Sequence, residues 1–151
     1  MTRHIFSYGI RLRQDSRIEL FPAAELMIQG RRTQGIRATF HIDSWATISV
    51  LPASDAKALG IPLRRGKKIV IGGITGEPLQ GYQHTVTVAL ATGRFTIPVA
   101  FVEHNDVPRI LGRDGVFTQF IIIFDEPRRR VAFLEPDAER TRIDSLFTPD
   151  P

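Results

Sequence analysis

The sequence predicts an all-β domain, and three observations carry that expectation. Its 151 residues, 42% of them hydrophobic, suffice for one core and are too few to require two. Ten Phe, twelve Gly and ten Pro accompany Ile, Val and Thr in short runs, a composition of strands and turns rather than of a helical bundle. Residues 36–42 alternate strictly, with Ile36, Ala38, Phe40 and Ile42 on one face and Arg37, Thr39 and His41 on the other, as a strand with one buried face requires.

The elements follow in order. From Ile18 to Ile42 the apolar residues come in short runs broken by the polar stretch Gln29 to Gly35, which predicts two strands joined by a turn. A small polar loop, Asp43-Ser44-Trp45-Ala46-Thr47, separates this from the apolar run Ile48 to Leu51, ended by Pro52. Ser54 is placed to cap a short helix through Leu59, stopped by Gly60 with Pro62 beyond it. A hairpin follows: Ile69 to Ile71, a glycine-containing segment from Gly72 to Gly81, then alternation through Val86, Val88 and Leu90. After the turn Ala91-Thr92-Gly93, Phe95 to Val102 reads as a strand whose Pro98 suggests a sheet edge or a bulge. A second short helix is expected near Gly112 to Thr118, and a last hairpin runs from Phe120 to Phe124 and from Val131 to Leu134. The expected organisation is an extension over residues 1–16, one domain over 17–135 and a polar tail over 136–151.

Charge and cysteine content narrow the function classes. The net charge is +4, with basic runs at Arg31-Arg32, Arg64 to Lys68 and Arg128 to Arg130. Each run falls where a turn is expected and none is interleaved with aromatic residues that would stack on bases, so solvated turns are expected and nucleic-acid binding is not. The absence of cysteine removes disulfides, thiol nucleophiles and thiolate metal sites. The amino end is charged throughout and carries no uninterrupted apolar segment, so a cytoplasmic chain with no membrane contact is the expectation. His41 and Asp43 share a strand face, but no third ligand joins them at a recognisable spacing, and neither a metal nor another cofactor is expected.

Asp43 stands out because it ends an apolar alternating strand. Alone, it reads better as an Asp making a local turn with Ser44 than as a functional carboxylate. Gly72, Gly73 and Gly76 likewise read alone as an ordinary hairpin with a long loop, and Gly112 as a turn.

Together these segments resemble the retroviral-type, or retropepsin-like, aspartic proteases. That family has a hydrophobic strand ending in Asp-Thr/Ser-Gly-Ala, a glycine-rich flap hairpin, and two apolar residues followed by Gly near the carboxyl end. The matching segments here are Phe40-His41-Ile42-Asp43-Ser44-Trp45-Ala46, Ile71 to Gly81, and Ile110-Leu111-Gly112-Arg113-Asp114, in the same order across Glu25 to Leu134. The resemblance implies a closed acid-protease barrel with one or two short helices. It also implies an endopeptidase in which water is activated between two carboxylates, aspartic proteases being the known case of such a shared-proton pair. With one matching loop per chain, a twofold homodimer would bring the two Asp43 residues together, its sheet built partly by the termini. Asp43 would be catalytic, Ser44, Trp45 and Ala46 would form the active-site loop, and Gly72, Gly73, Ile74 and Gly76 would belong to a flap closing over an extended peptide substrate.

Two positions depart from the family pattern. Thr47 stands where an Asp often pairs with the Arg of the late glycine motif, here Arg113. Trp45 stands where the family has Gly, whose backbone N–H faces the catalytic carboxylate. An indole at that place leaves two expectations: an active endopeptidase, or a disabled peptide-binding and dimerisation module on the same fold.

Overall fold

The computed structural model describes residues 3–30, 35–73, 76–91, 93–104 and 106–149. Twelve strands are found among them: β1 (Arg3–Ser7), β2 (Gly9–Leu12), β3 (Ile18–Phe21), β4 (Ala23–Ile28), β5 (Ile36–Ile42), β6 (Ser49–Pro52), β7 (Lys67–Ile71), β8 (Leu79–Leu90), β9 (Gly93–Val102), β10 (Ile110–Leu111), β11 (Ile121–Asp125) and β12 (Arg130–Leu134). Two helices, α1 (Ala53–Ala58) and α2 (Pro136–Asp144), complete a mostly β chain. Among the described residues, no helix is long and apolar enough to cross a membrane.

The main sheet has the order β4-β5-β10-β6-β9-β8-β7, and the end of β8 also pairs with β4 through Met27 opposite Ala89 and Ile28 opposite Val88. The sheet thereby curls back on itself around one core. The period-2 face of β5 supplies that core: Ala38, Phe40 and Ile42 are buried, as are Leu26 and Ile28 of β4 and Ile97, Val99 and Phe101 of β9. Pro98 lies in β9 opposite Thr85 of β8, one residue before β6 begins its pairing at Val99, so its missing N–H falls where β9 has a neighbour on only one side.

Several expectations need correction. The helix near Gly112 to Thr118 is a succession of turns closed by Val116 N–H to Arg113 O and Phe117 N–H to Arg113 O. Gly115, at φ +73°, leaves the helical region and stops it. The helix after Pro52 forms as α1, but it starts at Ala53 directly from the strand, so Ser54 is not its cap. Residues 3–12 form two strands, and residues 136–144 form α2 with Pro136 in its first turn. Strand β1 pairs with β12, which pairs with β11, giving a three-stranded sheet, while β2 and β3 form a hairpin of their own.

Of the basic runs that lie within the described residues, Arg128 to Arg130 is paired throughout and Arg64 to Lys68 at Arg64. Arg64 bonds Glu103 at 2.9 Å, Arg130 bonds Asp125 at 2.7 Å, Arg128 lies 3.6 Å from Asp125, and Arg129 pairs with Glu126. Arg31 and Arg32 lie outside the described residues.

Candidate active site

Asp43 sits where β5 leaves the sheet. Its position is fixed by backbone bonds, because its N–H donates to Leu111 O at 3.0 Å and the N–H of His41 donates to Arg109 O at 2.8 Å. β10 runs parallel to β5 and antiparallel to β6, so Ile110-Leu111 wedges between the strand that enters the loop and the strand that leaves it. Ile110-Leu111-Gly112 therefore packs against the Asp43 loop.

Two further bonds latch the loop from below, Arg113 N–H to Ala46 O at 2.9 Å and Asp114 N–H to Thr47 O at 2.8 Å. Gly112 is the point of closest approach. A Cβ there would lie 2.6 Å from the backbone carbon and oxygen of Ile48, closer than any real contact, so only Gly permits the two segments to meet. The Gly112 N–H donates to the hydroxyl of Ser49, which is fully buried. Arg113 has no ion-pair partner among the described residues, whereas Arg109 makes a bidentate pair with Asp55 of α1 at 2.7 and 2.8 Å. The hydrogen bonds to Asp55 hold the Arg109 guanidinium above its ordinary pKa, a cost of burial notwithstanding.

The loop organises the carboxylate. Oδ1 of half-buried Asp43 accepts the N–H of Trp45 at 2.8 Å and of Ala46 at 3.3 Å. The bond that the family draws from Gly is made here by the backbone of Trp45, and Trp45 is 93% exposed, its indole turned out to solvent. Ser44 is exposed, and Ala46 half-buried.

A cleft of about 480 Å³ opens beside the carboxylate. Asp43, Trp45, Ala46 and Thr47 form one wall; β7, with Gly72 and Gly73 following it, forms another. Gly73 and Gly76 both have positive φ, at 91° and 84°, which only Gly adopts without strain. Ile74 lies outside the described residues. The structure thus brings Asp43, Trp45, Ala46, Gly72 and Gly73 to one cleft. It adds apolar lining that motif reading passed over, notably Ile48, Val50 and Ile69. The signal for it was present: these residues belong to the two apolar runs flanking the loop and the glycine segment. Among the described residues there is no cluster of three or more metal-ligating side chains.

Residues 25–115, more than half of the chain, match the aspartyl protease family, and the chain belongs to it. Among solved structures it is similar to a retropepsin-like aspartic protease from Rickettsia conorii, with a TM-score of 0.56 and 16% identity over 87% of this chain and 92% of that one. At that identity the likeness establishes the fold. No curated protein matches the chain at a significant level.

Proposed function

We propose that the chain is one half of an aspartic endopeptidase, a closed retropepsin-like barrel whose twofold homodimer pairs two copies of Asp43. The observation that carries this is the Asp43 carboxylate, oriented by the N–H groups of Trp45 and Ala46 at the mouth of an apolar-lined cleft. In the dimer one carboxylate takes a proton from the water as it attacks the peptide carbonyl, and the other, protonated, gives a proton to the departing side.

The segment from Gly72 to Gly76, including Ile74, acts as the flap, its backbone bonding an extended peptide. Ser44 donates its hydroxyl to the bonds that interlock the two loops. The apolar lining favours hydrophobic side chains beside the cut bond.

A second reading, a disabled peptide-binding module, is favoured by one observation: the fully extruded indole of Trp45 stands at the rim where the partner's loop and substrate would lie. Cleavage of a peptide library by the parent chain, Asp43→Asn and Trp45→Gly separates the readings. The endopeptidase reading expects cleavage by the parent chain and loss of at least about a hundredfold in Asp43→Asn. Cleavage by Trp45→Gly alone supports the disabled module, and cleavage retained in Asp43→Asn removes Asp43 from the chemistry.

A further inference from the structure

The hairpin β2–β3 has one aliphatic and one polar face, both largely open to solvent. Its register sets Ile10 opposite Leu20 and Leu12 opposite Ile18, so four aliphatic side chains form two adjacent cross-strand pairs on one face. That face is open: the four are 72%, 45%, 71% and 70% exposed. The polar residues lie on the other face, where Arg11 bonds Glu19 at 2.6 Å and rests over Phe21. A free chain gains nothing by presenting four aliphatics to water, and contiguous apolar patches of this kind mark contact surfaces.

The place of the hairpin identifies what it meets. Both roots are anchored. Tyr8, just before β2, is buried with its hydroxyl donating to Glu126 at 2.6 Å. At the other root, the Phe21 ring lies 5.2 Å from that of His41, and Pro22 O accepts the Ile42 N–H at 2.9 Å. His41 and Ile42 are the last residues before Asp43. The hairpin therefore springs from the end of the β4–β5 ladder that carries the Asp43 loop, since Ala23 lies opposite His41. It also lies outside residues 25–115, the part shared with the family.

We propose that the hairpin Gly9–Phe21 is a dimerisation arm whose aliphatic face packs on a second copy of this chain. This rests on the proposed pairing of two Asp43 loops, because a second copy that brings its own Asp43 must seat on the end from which the arm projects. The chemistry agrees. A twofold contact needs a surface complementary to the same chain, and an uncharged aliphatic face meets that requirement without a matching charge pattern. The arm extends the interface beyond the loops and fixes how they face one another.

The test uses the double variant Ile10→Ser with Leu12→Ser, followed by sedimentation equilibrium and peptide cleavage over a range of protein concentrations. Loss of two aliphatic anchors is expected to weaken dimerisation by about a hundredfold. Both side chains are solvent-exposed in the subunit, so the melting temperature of the dilute chain should stay at the parent value. A weakening of less than about tenfold overturns the proposal. So does a parent chain that remains monomeric at all concentrations, or one that stays monomeric while the patch binds phosphatidylcholine vesicles.

The two readings fail separately. An arm variant that keeps both dimer and cleavage overturns the arm and leaves the endopeptidase standing. A parent dimer that dissociates in the arm variant, yet cleaves nothing even with Trp45→Gly, overturns the endopeptidase and leaves the arm. Should the double variant not fold, amide exchange of the parent chain decides: slowing across residues 9–21 as concentration rises supports the arm, and no change overturns it.

Discussion

An indole at position 45 leaves the carboxylate geometry intact because Asp43 uses the backbone N–H there and not the side chain. The side chain matters only to whatever approaches from outside. Gly112 is the opposite case, a residue whose missing side chain lets two backbone segments meet. Gly112→Ala forces a methyl group within 2.6 Å of Ile48 backbone atoms that no rotamer change can move. The expected result is a loss of about 1–3 kcal/mol in urea unfolding, the range for overpacking. Cleavage should fall further than stability alone explains, because the latch from Arg113 to Ala46 sets the loop. Parent-like stability in that variant would mean the segments do not approach so closely.

At the scale of elements, two ion pairs tie outlying pieces to the sheet. Asp55, 6% exposed in its side chain, grips Arg109, and Arg109 O in turn accepts the His41 N–H. Asp55→Ala should cost about 2 kcal/mol, between an exposed pair and a fully buried one, measurable by denaturant unfolding. Glu139 of α2 plays a like part for the amino end: its side chain is 7% exposed and accepts Arg3 Nε at 2.5 Å. That hydrogen bond from Arg3, with the charges of Arg3 and Arg142, holds the carboxyl below its ordinary value. A depressed carboxyl contributes stability that is present above its ordinary value of about 4.3 and is lost as pH falls through the lower folded value. Melting temperature should therefore drop more steeply below about pH 4.3 in the parent chain than in Glu139→Gln.

For the molecule as a whole, legibility tracked the distance over which each cue acts. Strand β5 could be read because Ile36 to Ile42 alternate within seven residues, and the Asp43 loop because its motif is contiguous. Strand β1 could not, since the strand it joins, β12, lies more than a hundred residues away, with Phe6 opposite Val131. Helix α2 carries few apolar residues, and only its Pro136 and the acids Asp137 and Glu139 in the first turn signalled it. The hairpin β2–β3 was hidden by its charges: Arg11, Arg13 and Arg17, set among its aliphatic residues, give the segment the look of a charged extension. Gly115 reads in sequence as a tolerable helix residue, and only its backbone angle reveals the break. Of the site, the carboxylate and the glycine segment were visible, whereas the Arg109–Asp55 tie and the backbone latches join residues that no local pattern connects.

The central claim is that hydrolysis needs one Asp43 from each of two copies, and mixing subunits tests it directly. A fixed amount of active chain, the parent or Trp45→Gly, is allowed to exchange with increasing amounts of Asp43→Asn, and peptide cleavage is followed. Each mixed dimer holds a single Asp43, so activity per active chain should fall in proportion to the active fraction. Cleavage that stays constant per active chain while mixed dimers form would contradict the shared site.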